Sequence, residues 1–257
     1  MVAETLENIQ KQWRCFSASV IGSGHISNGT PCQDAHCVSI TDLKFVCAIS
    51  DGAGSAKFSQ IGSKTAVNAA IVELTELNAE PGRQEILQVV NATKAAVEYA
   101  ANEHEVSPSD LACTLILIWA TANCIVVGQI GDGAVVASID GKIEAVTRPQ
   151  NGEYLNQTTF LTSDNYDSNL VVTSRYGTIQ SIAGFTDGIE LVALKLPEAE
   201  PFEPFFQSLF DFVQVESNEI VGTKRLEDFL LSDRLRERTD DDLTLTLACL
   251  VPSGGKE

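Results

Sequence analysis

The sequence predicts an α+β fold in which antiparallel sheets are covered by helices. Three observations carry that expectation. The elements run as strands, two helices, many strands, two helices and one strand, which is not the regular alternation of a doubly wound parallel sheet. Successive strands lie too close together for crossover helices, so they are expected to pair antiparallel. The last apolar run, Leu243 to Val251, comes after the final helices and returns to the core. The 257 residues are expected to form one domain, 1–257, with its core over about 15–251, because no repeat or linker divides them.

Taken in order, Glu4 to Gln12 is expected to be a short helix and Cys15 to Ile21 a strand. Gly22-Ser23-Gly24 and Asn28-Gly29 are turn signals. Ala35 to Ile40 and the apolar run that ends at Asp51 form the next two strands. From about Gln60 to Asn78, Val67, Ala70, Ile71, Leu74 and Leu77 share one helical face. Pro81 marks the start of a second helix, with Glu85 in its first turn. Strands follow at Leu111 to Ala120, Cys124 to Ile130, Val135 to Ile139 and Ile143 to Val146, the last two joined by the hairpin pair Asp140-Gly141. Gln150 to Asn169 is polar and long for a connection, and reads either as a lid over substrate or as a structureless excursion. Leu170 to Ser174 and Ile179 to Phe185 are strands, and Pro204 to Val213 and Glu219 to Leu231 are helices. The tail Pro252 to Glu257 is expected to fray.

Composition narrows the function. Apolar residues make up 44%, enough for a large core. The 35 acids against 17 bases give a net charge of −18, which argues against nucleic acid and against an anionic membrane. No apolar run reaches membrane-spanning length, and Met1 to Trp13 is too polar for a signal peptide. Seven scattered cysteines without a Cys-x-x-Cys pair read as reduced thiols of a cytoplasmic protein.

The acids that stand at strand ends carry the chemistry. Asp51-Gly52 follows Phe45 to Ile49, Asp132-Gly133 follows Cys124 to Ile130, and Asp187-Gly188 follows Ile179 to Phe185. Asp241 lies two residues before the final strand. One Asp-Gly of this kind is a common turn pair. Several at neighbouring strand ends would converge on one edge, repel one another and force a proton onto one of them. Hard divalent cations, namely magnesium, manganese or calcium, would relieve that repulsion. The three histidines and the cysteines show no zinc spacing, and there is no EF-hand loop.

Gln33-Asp34-Ala35-His36, Ser50-Asp51-Gly52-Ala53-Gly54, Cys113-Thr114, Gly131-Asp132-Gly133, Phe185-Thr186-Asp187-Gly188 and Thr239-Asp240-Asp241-Asp242-Leu243-Thr244 stand in one order along the chain. That series resembles the metal-dependent serine/threonine protein phosphatases of the PP2C type. Pro31-Cys32-Gln33-Asp34 and Gly54-Ser55-Ala56-Lys57-Phe58 resemble the divergent bacterial branch. The resemblance implies a four-layer α-β-β-α sandwich. It implies hydrolysis of phosphoserine and phosphothreonine by a metal-activated water, with two ions, Mn²⁺ or Mg²⁺, about 3.5–4 Å apart. Asp51 would bridge the ions, the Gly52 carbonyl would serve one, and Asp187 and Asp241 the other. Asp34 would hold a metal-bound water, and Asp132 with Asp187 would take a third, weaker ion. Asp34, Asp51, Asp187 and Asp241 form the implied catalytic set. A phosphoprotein substrate and a bacterial serine/threonine kinase pathway are the implied partners.

Four positions depart from the family pattern. Gly29 stands where many members carry a phosphate-binding Arg, leaving Lys57 and His25 as candidates for that role. Ala53 stands where a His is frequent, so a proposed general acid is missing. Gln33 replaces a frequent Glu and Asp242 a frequent Asn. Two rival readings follow: a catalytically weak sensor or interaction protein on the same fold, and a metallophosphatase for small phosphoesters.

Overall fold

The computed structural model describes residues 11–41, 44–150 and 158–253. Its elements are β1 (Lys11–Val20), α1 (Ser23–Asn28), β2 (Ala35–Ile40), β3 (Phe45–Ser50), α2 (Ser59–Glu76), α3 (Arg83–Glu103), β4 (Leu115–Ala120), β5 (Cys124–Ile130), β6 (Ala134–Ile139) and β7 (Lys142–Thr147). They continue with α4 (Tyr166–Asn169), β8 (Val171–Tyr176), β9 (Ile179–Phe185), α5 (Glu190–Ala193), β10 (Leu194–Lys195), β11 (Glu200–Pro201), α6 (Glu203–Val215), α7 (Glu219–Leu230), α8 (Asp233–Arg236) and β12 (Leu243–Pro252). Two five-stranded sheets run β1-β12-β9-β6-β7 and β2-β3-β4-β5-β8. Every pairing within them is antiparallel.

Three apolar layers separate four structural ones, so the expected α-β-β-α sandwich is what forms. In β4, Leu115, Leu117 and Trp119 pack toward α2 and α3, whereas Ile116, Ile118 and Ala120 face the other sheet. Such a strand is buried on both sides and therefore reads as an unbroken apolar run. Between the sheets, Phe45, Ile49 and Ile118 meet Val135, Ile182 and Ala248. On the far side, Phe206, Phe210, Leu226 and Leu230 of α6 and α7 cover Phe16, Leu245 and Leu247.

β12 shows why its alternation is only partial. Leu243, Leu245 and Leu247 face the helices, and Thr244 and Thr246 point between the sheets, fully buried. Their hydroxyls are matched by Ser19 Oγ at 2.6 Å and Ser17 Oγ at 2.5 Å on β1. A buried hydroxyl with a partner costs little, so polar residues persist in a core strand.

Several expected boundaries shift for local reasons. Lys11 and Gln12 belong to β1, not to a helix, and the rest of the helix expected over 4–12 lies outside the described residues. Gly22-Ser23-Gly24 opens α1 instead of making a simple turn. β4 starts at Leu115, because Pro108–Leu111 forms a 3₁₀ turn that Ser107 and Asp110 cap reciprocally. Of the connection Gln150 to Asn169, residues 151–157 lie outside the described residues, and Tyr166–Asn169 is helical.

Candidate metal centre

The strand ends deliver the acids to one edge of the sandwich. Asp51 directly follows β3, and its backbone N–H donates to Thr114 Oγ1 at 2.9 Å while Thr114 N–H donates back to its carbonyl at 2.8 Å. Asp132 follows β5 in a loop fixed from below by Gln129. The Gln129 amide donates to the carbonyls of Gly133 at 2.8 Å and Gly131 at 3.0 Å. Asp187 follows β9, and Asp241 precedes β12, the strand paired with β9.

A cavity of about 160 Å³ opens between these ends, lined by Asp51, Asp132, Asp187 and Asp241 together with Gln33 and Gly52. Carboxylate oxygens of Asp51, Asp132 and Asp187 all lie within 4.8 Å of one another. No Lys, Arg or His among the described residues lines it. Burial raises the Asp51 carboxyl well above its ordinary value, and the charges of Asp34, Asp187, Asp241 and Asp132 add to that. Burial, with Asp132 and Asp241 adding charge, raises Asp187 to about 7. Asp241 is raised as well, again mainly by burial.

Asp34 sits behind this group rather than on the cavity wall. It is 3% exposed and accepts a hydrogen bond from Thr186 Oγ1 at 2.8 Å. Burial raises it to about 8 against the lowering effect of Thr244 and Thr186. Glu190 of α5 is also raised, by burial and then by the Asp132 charge.

The two candidate phosphate ligands lie elsewhere. His25, in α1, has its Nδ1 2.9 Å from Asp242 Oδ2, off the hydrogen-bonding angle. Lys57 is exposed, with Nζ 5.0 Å from the centre of the neighbouring Phe58 ring. Gly29 ends α1 in a left-handed conformation, φ 67°, and its missing Cβ would face open space. Ala53 is buried against Ala56, Ala112 and Phe160, an apolar corner beside the acids.

Sequence reasoning missed several residues that position the site. Asp242 is 2% exposed and accepts the Gly22 N–H at 2.7 Å and the Gln33 N–H at 2.6 Å. It is a structural clamp, a role that its place in a run of three aspartates does not reveal. Gln129 was visible as the one amide in an apolar strand, Cys124–Ile130. Thr158, whose hydroxyl donates to Asp132, and Phe160 line the cavity from the polar connection, which carries no periodic signal.

Divalent cations fit this donor set. Asp132 Oδ1, Asp187 Oδ1 and Gln33 Oε1 are buried oxygens without a hydrogen-bond partner. Hard oxygen donors converging with uncompensated negative charge are what such ions require. The metal-free protein must then carry protons there. Asp34 and Asp187, normally near 3.8, titrate near 8 and 7 in the fold. The native state therefore binds more protons than the unfolded one between about pH 4 and 8, and stability falls as pH rises through that window. In a chelator the unfolding midpoint should rise as pH drops from 8 to 5, with a slope of up to about 1.4 kcal/mol per pH unit for each proton held. Saturating Mn²⁺ should flatten that slope. Thermal melts across pH, with EDTA and with Mn²⁺, check both results.

Comparisons with known proteins agree on a family. The family model described as protein phosphatase 2C matches residues 21–231. Serine/threonine-protein phosphatase 3 of Escherichia coli (strain K12) is 33% identical over 247 residues, covering 92% of this chain and 98% of that protein. Among solved structures, a bacterial serine phosphatase aligns with a TM-score of 0.64 at 14% identity, covering 95% of this chain and 99% of that one. The catalytic domain of the serine/threonine protein phosphatase PstP, in complex with two manganese ions, aligns with a TM-score of 0.59 at 17% identity, covering 94% and 99%. At such identities these structures speak for the fold alone.

Proposed function

We propose that this chain, which belongs to the protein phosphatase 2C family, hydrolyses phosphoserine and phosphothreonine in proteins with Mn²⁺ or Mg²⁺ held by its strand-end acids. The observation that carries the reading is the group of three carboxylates within 4.8 Å, with buried unpartnered oxygens on Asp132 and Asp187. Asp51, the Gly52 carbonyl, Asp187 and Asp241 are proposed to hold two ions, and Asp132 with Asp187 a third, weaker one. The bound ions supply charge neutralisation at the phosphoryl oxygens and a water of lowered pKa.

The chain's own groups do the rest. Asp34, held at Oδ2 by the Thr186 hydroxyl and set behind the cavity wall, is proposed to orient a water of the site. Thr114 and Gln129 hold the backbones of Asp51 and Asp132, so the donor set is pre-formed. With no Lys, Arg or His on the cavity wall among the described residues, the phosphate relies on the ions for its binding. Lys57, exposed three residues beyond the cavity-lining Gly54, can swing toward an incoming phosphate; His25, set against Asp242, is less free to do so. Ala53 and its apolar neighbours offer no proton, so the leaving oxygen takes one from solvent. Phosphoproteins of a serine/threonine kinase pathway are the proposed substrates, in the cytoplasm. All seven cysteines are free thiols, which fits a reducing compartment. No helix among the described residues is long and apolar enough to cross a membrane.

The test is turnover of phosphoserine and phosphothreonine peptides beside an aryl phosphate and a small sugar phosphate. Phosphopeptide hydrolysis should require Mn²⁺ or Mg²⁺, stop with EDTA and return on metal addition. The apolar corner at Ala53 favours one rival, a weakly catalytic binding protein. Metal binding without turnover on any substrate would support that rival, and turnover of the sugar phosphate alone would support the small-ester reading.

A further inference from the structure

We propose that a second cavity, away from the acids, binds a small organic anion with an apolar body. The cavity has a volume of about 530 Å³ and lies between α5, β10, α6 and α8. That is the size of pocket that takes small-molecule ligands, about 300–1,000 Å³. Leu191, Phe202, Phe205 and Leu209 give it apolar walls, and Leu191 and Phe202 are 61% and 41% exposed. Exposed aromatic and aliphatic side chains set around a concavity mark a binding surface.

Charge selects the occupant. The chain carries 35 acids and 17 bases, yet no described Asp or Glu lines this cavity, while Lys195, Arg234 and Arg238 do. Among the described residues none of the three cations makes an ion pair, although Asp233 and Glu237 neighbour them in sequence. Lys195 Nζ instead lies 5.7 Å from the centre of the Phe202 ring. Three such cations lining an otherwise apolar cavity match a carboxylate, sulfonate or phosphate head on an aromatic or aliphatic body. A concavity of this volume suits a small molecule rather than a protein surface. The walls also connect to the acid site: α5 follows the turn that starts at Asp187, and α8 leads through Thr239 to Asp241.

The probe is 8-anilinonaphthalene-1-sulfonate, compared with N-phenyl-1-naphthylamine, which has the same rings and no charge. The fluorescence of the sulfonate should saturate at one site per chain. The uncharged compound should bind at least about tenfold more weakly, because it forgoes the charge contacts. The double variant Arg234→Gln/Arg238→Gln, altered at two exposed positions, should melt like the wild type and lose about tenfold in affinity for the sulfonate. Lys195→Gln gives the same reading should the double variant not fold. The proposal is overturned by non-saturating fluorescence, by equal affinity for the two compounds, or by a folded variant that binds the sulfonate as tightly as the wild type. None of these measurements depends on phosphatase turnover.

Discussion

Replacing Asp51 by Asn should lower phosphopeptide turnover by at least about a thousandfold, a loss of about 4 kcal/mol of transition-state stabilisation. Burial raises the Asp51 carboxyl, and the charges of four neighbouring carboxylates add to that. The amide keeps the shape and the backbone bonds to Thr114, so the strand end should stay in place. What it loses is the charge that would hold the cations. Mn²⁺ affinity should fall with the rate, as calorimetric titration would show. The same substitution should raise the melting temperature in EDTA, because a buried and repelled carboxylate is gone. Turnover within tenfold of wild type would remove Asp51 from the proposed centre. A lower melting temperature in EDTA would show that the acids do not repel one another in the way described.

The second large effect is expected from Gly188→Ala, a change of one methyl group without any change of charge. A Cβ at Gly188 would lie 2.1 Å from the carbonyl oxygen of Asp242. Gly22 makes a similar approach from α1, where a Cβ would lie 2.2 Å from the carbonyl oxygen of Asp241. Both obstacles are backbone, so no rotamer change can relieve them. At Gly188 the chain following Asp187 must separate from the chain carrying Asp241 and Asp242. Overpacking of this kind costs about 1–3 kcal/mol, and a rigid backbone obstacle belongs at the upper end. Movement of about 1 Å between two metal-holding acids should also cost at least about a hundredfold in rate. Denaturant unfolding and turnover, measured together, test both parts. A variant with wild-type stability and rate would show that the two segments are free to move apart.

Much of this architecture was legible because its signals are one-dimensional. β5 and β9 begin and end where their apolar runs do, and the acids follow at their C-terminal ends. The order of Asp34, Asp51, Asp132, Asp187 and Asp241 also survives in the sequence. What escaped detection depends on pairs far apart in the chain. The grip of Asp242 on Gly22 and Gln33 spans 220 and 209 residues, and nothing local announces it. α5, α8 and the β10–β11 pair have four, four and two residues per element, too few for any periodicity to emerge. α5, β10 and α8 form three of the four walls of the basic, apolar cavity, which for that reason had no counterpart in the sequence. His25 and Lys57 stood side by side as candidates for the phosphate, and only the fold separates one set against an acid from one lying on an aromatic ring.

The position of β12 has a consequence for how the protein is made. The last strand is not an edge strand: it lies between β1 and β9, with Lys11 opposite Pro252 and Leu245 opposite Phe185. During synthesis β1 emerges first of the described strands, and its partner β12 emerges after all the others of both sheets. Until then β1 and β9 each expose an unpaired edge, and the leucine face that α6 and α7 cover is incomplete. The sheet β2-β3-β4-β5-β8 has all its strands long before that point and can assemble while the chain is still growing. The other sheet must wait, so the nascent chain passes through a half-sandwich with open strand edges, the form most prone to pairing with a second copy.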